Sequence, residues 1–410
     1  MQTFDTLGLS AALVRAVRDL GYSTPTPVQA QAIPAALAGK DVLASAQTGT
    51  GKTAAFGLPL IDRLAQLPRK KSRALILAPT RELAAQIAAN LTAYAKGSGL
   101  RVAAIYGGVG FGPQRMAFAR GVEIIVACPG RLLDLIAQGD ARLDDISVLV
   151  LDEADRMLDM GFLPNVRRIV ATLPRERQTM LFSATIASEI AKLARDLLHD
   201  PVRIAIAPKS TATTAEGITH VAYAIDQQRK TDLLVELLKD NNIFSAIVFT
   251  RTKARANRLA LALAKHGHSA ERIHGDRSQA QRTRALDQFK KGKLRVLVAT
   301  DIAARGIDVA DLGHVVNFDV PMVPADYVHR VGRTARAEAT GDAITFVARE
   351  EETYFRDIEK AVGRRIDRAK VPALPPPSPA TEPLRRSRER APLTFAAANN
   401  ARQAKERRSR

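Results

Sequence analysis

Cysteine is almost missing from this chain: Cys128 stands alone in 410 residues. No intramolecular disulfide can form, and a reducing compartment is expected. Long apolar runs are missing too, and none approaches the roughly 18 residues that a bilayer-spanning helix needs. The opening Met1-Gln2-Thr3-Phe4-Asp5 lacks the basic-then-apolar pattern of a secretory signal. No Lys-rich amphipathic helix stands out, which argues against a membrane surface as partner. A cytoplasmic protein is the expectation. Negative charge is also short: 42 Asp and Glu face 61 Lys and Arg, for a net charge of +19 and a pI near 10.4. Such an excess points to a polyanionic partner, and nucleic acid is the commonest one. Charge alone does not separate RNA from DNA.

What is present is ordinary globular material, 46% apolar, in a chain long enough for two or three domains. Val42 to Ser45, Ala74 to Ala78, Val102 to Tyr106, Ile124 to Ala127, Val148 to Leu151 and Met180 to Ser183 read as buried strands. Amphipathic helices lie between them, as at Arg81 to Ala95. Strand–helix alternation predicts an α/β domain, a parallel sheet with helices on both faces. The polar, aperiodic stretch 208–217 reads as a linker. Alternation then resumes, with strands expected at Ala246 to Thr250, Ala270 to His274, Arg295 to Thr300, His314 to Phe318 and Ala343 to Val347. The expected organisation is a first domain over 1–207, a second over 218–363, and a tail over 364–410. That tail holds 13 Lys and Arg against 4 Asp and Glu and is rich in proline. Such composition buries too little apolar surface to fold, so the tail reads as disordered. Its charge suits either a solubilising segment or a non-specific RNA tether.

The chemistry concentrates in two segments. Ala46-Gln47-Thr48-Gly49-Thr50-Gly51-Lys52-Thr53 has the form of a phosphate-cradling loop, although Ala46 replaces the usual first glycine. Its glycines let backbone N–H groups turn toward phosphate oxygens, Lys52 supplies charge, and the Thr53 hydroxyl is placed for Mg²⁺. A hundred residues later, Asp152-Glu153-Ala154-Asp155 follows a buried strand. Asp152 can hold Mg²⁺ through its waters and Glu153 can polarise an attacking water. The acidic run alone could be a helix N-terminus complementing its dipole. The pair together reads as an NTPase, and the second domain has no phosphate loop of its own.

These motifs carry a family resemblance. With Ser183-Ala184-Thr185, the run His329-Arg330-Val331-Gly332-Arg333-Thr334-Ala335-Arg336 and the upstream Gly21 to Gln29, the chain resembles the DEAD-box RNA helicases of superfamily 2 over residues 4–363. Its short basic tail is most similar to the bacterial RhlE-type branch. The resemblance implies two tandem RecA-like domains and ATP-dependent, non-processive local unwinding of RNA or remodelling of ribonucleoproteins. Gln29 would read the adenine edge, with Phe4 either near the base or stapling the first helix. Asp308 would touch the ribose. Asp155, Ser183 and Thr185 would couple the nucleotide to domain closure. Arg333 and Arg336 would reach the γ-phosphate, and His329 would connect the site to the carboxylates.

RNA contacts implied by the resemblance lie at Pro79, Thr80, Arg81, Gly107, Gly108, Pro129, Gly130 and Arg131 in the first domain. Thr250, Gln279, Arg282 and Thr300 serve in the second. Such contacts hold the backbone without reading bases. Cys128, where threonine is usual before Pro129, and Ala335, where glycine is usual, depart from the family pattern. A degradation complex or pre-ribosomal particles are the partners implied, and a monomer suffices for the chemistry. Two rivals remain open at this level: an ATP-gated RNA clamp, and a DNA translocase of the same superfamily.

Overall fold

Val148-Leu149-Val150-Leu151 is buried at all four positions, as a strand covered on both faces must be. In the computed structural model, which describes residues 3–46, 49–206, 218–239, 243–304, 312–334 and 341–376, it is the central strand of a seven-stranded sheet. Numbered along the chain, the strands of this first lobe are β1 (Val42–Ser45), β2 (Ala74–Leu77), β3 (Val102–Ile105), β4 (Ile124–Ala127), β5 (Val148–Leu151), β6 (Gln178–Ser183) and β7 (Val202–Ala205). Their order is β3-β4-β2-β5-β6-β1-β7, and every pairing is parallel. Alternation along β5 divides the core: Val148 and Val150 face one layer of helices, Leu149 and Leu151 the other.

The second lobe contains β8 (Ile218–Ala224), β9 (Ala246–Phe249), β10 (Ala270–Ile273), β11 (Val296–Ala299), β12 (His314–Asn317), β13 (Gly341–Val347) and β14 (Asp367–Arg368). Their order is β10-β11-β9-β12-β13-β8-β14, again all parallel. Counted from its own first strand, each lobe follows the same path, 3-4-2-5-6-1-7. The same connectivity twice over matches the two tandem RecA-like domains implied by the motifs.

The sequence reading differs from the structure mainly at the sheet edges. β7, β8 and β14 were not anticipated, because partly exposed strands lack a continuous apolar run; β7 is buried only at Ile204. The tail drawn over 364–410 also starts too early. Ile366 is buried and β14 pairs with β8, so these residues complete the second sheet, and the chain divides into units 1–372 and 373–410. The linker 208–217 and residues 377–410 lie outside the described residues. Among the described residues no helix is long and apolar enough to cross a membrane.

An ionic cluster underpins the second lobe. Lys230 is fully buried; its ammonium donates to the Phe318 carbonyl at 2.8 Å and pairs with Glu351. Arg251 holds the other Glu351 oxygen at 3.0 Å. Deleting one member of a buried pair strands its partner's charge, at a cost of about 3–5 kcal/mol. Lys230→Met is therefore expected to destabilise the second lobe by about that amount in urea unfolding. A change within 0.5 kcal/mol or so would contradict the arrangement.

Candidate nucleotide site and nucleic-acid interface

Parallel strands end together, so the loops after them converge on one edge, where open α/β sheets bind ligands. The phosphate loop follows β1 and feeds the helix Lys52–Ala65. Gly51 caps that helix in the left-handed region, φ 86°, and a Cβ there would lie 2.3 Å from the Gln29 amide nitrogen. Only glycine fits. Gln29 is buried; its Oε1 accepts from the Thr26 N–H at 2.9 Å and its Nε2 donates to the Gly51 carbonyl at 3.1 Å. The Thr26 hydroxyl donates to the Thr50 carbonyl at 2.8 Å. Gln29, assigned from sequence to the adenine, thus also ties the phosphate loop to the helix Pro27–Leu37. Phe4 is 2% exposed and packs edge-on to Tyr22 in the core. Gln47, Thr48, Asp308, Ala335 and Arg336 lie outside the described residues.

Lys52 is buried, and its ammonium donates to the Ala46 carbonyl at 3.0 Å, inside its own loop. It also exerts its charge on Asp152, where burial pushes the carboxyl up to about 6, Lys52 opposes this, and Glu153 and Asp155 reinforce it. Asp152, Glu153 and Asp155 are all buried at this strand end, with Lys52 and Arg156 as the nearby cations. Among the described residues no three His, Cys, Asp or Glu side chains form an all-protein metal cage. The donor set fits Mg²⁺, which commonly takes one or two carboxylates and completes its shell from phosphates and water.

Glu153 adopts φ 53°, unusual for a non-glycine, at the start of the helix Ala154–Asp159. Its carboxylate pairs with the Arg156 guanidinium at 2.9 Å, both side chains buried. Arg156 was not identified from sequence; its spacing of three from Glu153 on a helix was the available signal. Asp155 does meet Ser183 and Thr185. One of its oxygens accepts from the Ala184 and Thr185 N–H groups at 3.1 and 3.0 Å and from the Thr185 hydroxyl at 3.3 Å. The Asp155 N–H donates to the Ser183 hydroxyl at 3.2 Å.

The lobes meet at this edge. Arg156 of the first lobe lines one pocket with Phe249, Asp301, His329, Arg330 and Arg333 of the second. Burial, then the Arg156 charge, pushes His329 down to about 4, with Asp155 opposing. Its Nδ1 has no hydrogen-bond partner among the described residues. Arg333 donates to the His329 carbonyl at 3.2 Å. Arg330 is structural: it chelates Asp301 and donates to Asn317 and the Asp319 carbonyl.

A second cluster lies along the same edge. Pro79, Thr80 and Arg81 follow β2, and Thr80 caps the next helix. The Arg81 guanidinium packs on Gly107-Gly108, where a Cβ on Gly108 would come within 2.0 Å of it. Pro129 and Gly130 open the helix Pro129–Ala137; Arg131 donates to the Val109 carbonyl and lies 4.0 Å over the Phe111 ring. Cys128 gives no side-chain cap, and burial pushes its thiol up to about 12. In the second lobe Thr250 and Thr300 directly follow β9 and β11, and Gln279 and Arg282 open the helix Gln279–Lys290. These last two reach across: Gln279 donates to Glu82 at 3.1 Å and Arg282 pairs with it at 2.8 Å, all three buried. Phe111 was not identified from sequence, and Glu82, next to Arg81, was given no role of its own, since their partners lie on other loops and in the other lobe.

Residues 26–193 match the DEAD/DEAH box helicase family model, and 229–338 match the helicase conserved C-terminal domain. The chain is 44% identical to the DEAD-box ATP-dependent RNA helicase CshA of Bacillus subtilis (strain 168), over 91% of this chain and 75% of that one. This chain is a DEAD-box ATP-dependent RNA helicase. The finer RhlE-type placement has no support in these relatives, which are named CshA. Among solved structures the helicase resembles S. cerevisiae Dbp5 bound to RNA and ADP BeF3, with TM-score 0.80, 31% identity, and 90% and 96% of the two chains covered. A Dbp5 variant bound to Nup159, Gle1, IP6 and ADP gives 0.61 at 30% identity, covering 88% and 95%.

The buried neutral His329 sets a pH dependence. Between pH 6.5 and about 4 the unfolded chain holds a proton that the folded cleft rejects, so stability falls as pH drops through that window. His329→Gln should flatten this part of the wild-type profile in thermal melts from pH 7 to about 4.5. Identical profiles would show that His329 takes up its proton alike in the folded and unfolded states.

Proposed function

We propose that this helicase couples ATP hydrolysis to closure of its lobes on single-stranded RNA, and so separates short duplexes locally rather than by long translocation. The observation that carries this reading is the cleft in which Arg156 and Asp155 of the first lobe face His329 and Arg333 of the second. Lys52 and the turn 49–51 would bind the β- and γ-phosphates, and Gln29 the adenine. Thr53 and Asp152 would hold Mg²⁺, which supplies charge neutralisation at the phosphates. Glu153, oriented by Arg156, accepts a proton from the attacking water. Arg333, with Arg336, stabilises charge on the γ-phosphate, a contribution worth about 10³–10⁵ in rate where an arginine finger has been removed from related enzymes.

RNA lies along Pro79 to Arg81, Gly107-Gly108 and Pro129 to Arg131, then across to Thr250, Gln279, Arg282 and Thr300. Its backbone is held without base reading, and 2′-hydroxyl contacts select RNA over DNA. ATP and RNA each bridge the cleft, so each raises affinity for the other. Residues 208–217 link the lobes and Asp308 contacts the ribose. The chain works as a monomer in the cytoplasm, with degradation complexes or pre-ribosomal particles as its settings.

ATP turnover measured without nucleic acid, with single-stranded RNA and with matched DNA at one salt concentration should rise strongly with RNA alone. Equal stimulation by DNA would defeat the RNA assignment. Glu153→Gln should bind ATP and RNA but turn over at least 100-fold more slowly, in the range of about 10²–10⁴ for a lost acid–base group. Wild-type turnover in that variant would remove Glu153 from the role of base.

A further inference from the structure

Between Tyr106 and Val109 of the first lobe and the outer face of the helix Gln279–Lys290 runs a groove of about 530 Å³. Its second-lobe wall carries Arg284, Lys291 and Lys293, against a single acid, Asp287. All three cations are exposed, and none forms an ion pair among the described residues. The groove continues the interface described above: Tyr106 and Val109 flank Gly107-Gly108, and Gln279 lines both. It is bounded by both lobes, so it has this form only while they are together.

We propose that this groove is a second RNA subsite, taking the sugar-phosphate backbone of a strand that extends beyond the strand-end loops. The proposal rests on the RNA reading given under Proposed function. Unpaired lysine and arginine along one wall suit a row of phosphates, and the half-buried Tyr106 ring opposite offers a surface for a base. Apolar lining is limited to Val109 and Ala280, so the groove lacks the anchor pocket on which a protein partner would depend. From Gln279 to Lys291 the helix axis spans ~18 Å at 1.5 Å per residue. That is room for about five stacked nucleotides at 3.4 Å each, or fewer if the strand is extended. A strand lying there touches both lobes, so longer RNA holds the cleft closed more firmly than RNA that fills the loops alone.

The test compares the full-length wild type with Arg284→Gln/Lys291→Gln/Lys293→Gln, all surface changes, using RNA oligonucleotides of about 5 to 20 nucleotides and a non-hydrolysable ATP analogue. The basic tail is the same in both proteins and cancels. Wild-type affinity should keep climbing with length where the triple variant levels off. On long RNA the slope of log affinity against log salt should fall by about 2, at about 0.7 per lost phosphate contact. On the shortest RNA that stimulates turnover, affinity and ATPase should be unchanged. Equal length dependence and equal salt slopes would overturn the subsite and leave the groove to an acidic protein. Loss on the shortest RNA as well would also overturn it, placing the cations in the main path. If RNA of no length stimulated the wild type, the RNA reading itself would fall, and the subsite with it.

Discussion

The Asp155 carboxylate, buried at the end of β5, gathers two backbone N–H groups and a hydroxyl from the turn after β6. This junction fixes the carboxylates against the neighbouring strand end, and the rest of the cleft is built out from it. Asp155 sits between Glu153, whose backbone is bent into the left-handed region, and Arg156, which orients Glu153 and faces His329. A shift of the turn at 183–185 therefore reaches Glu153 and, through Arg156, the pocket shared with the far lobe. Three charge-assisted or backbone bonds to one oxygen are costly to loosen one at a time. The junction therefore moves as a unit.

The seam between the lobes follows a different logic. Glu82 holds Gln279 and Arg282 at once, in a buried polar contact that gains little from being dry. Its value lies in geometry, since it holds the start of the helix Gln279–Lys290 against the start of the helix that follows β2. Opening the lobes would leave Glu82 to find water, and closing them commits Arg282 to one orientation. Such a contact favours a single closed register without making closure irreversible.

Much of this was legible in the sequence, for local reasons. Strands such as Val148–Leu151 and Ile124–Ala127 are buried on both faces, so each appears as an unbroken apolar run. The phosphate loop and the acidic run are contiguous, and Ser183 and Thr185 meet Asp155 where the family pattern implies. Partly exposed edge strands were not legible, β14 least of all, since its two residues are a charged pair within a basic stretch. Nor were the supports. Arg156, Phe111 and Glu82 are ordinary residue types whose roles arise from partners on other loops or in the other lobe. Gln29 shows the limit from the other side: its amide was noticed, but its bond to Gly51 depends on a left-handed glycine 22 residues away. Phe4 offered two readings, and its burial against Tyr22 is compatible with either.

The two lobes share one strand path, and each places a lysine at the first position of the helix that follows its own first strand. Lys52 opens Lys52–Ala65 after β1, and Lys230 opens Lys230–Leu237 after β8. At the first address the ammonium rests on a carbonyl of its own loop, a partner that a phosphate can displace. At the second, Glu351 already provides the counter-charge from within the chain. The second lobe carries an internal anion where the first offers only a backbone carbonyl. The duplicated architecture is thereby asymmetric: at matching positions one lobe rests its lysine on a backbone carbonyl, and the other pairs its lysine with a carboxylate of its own.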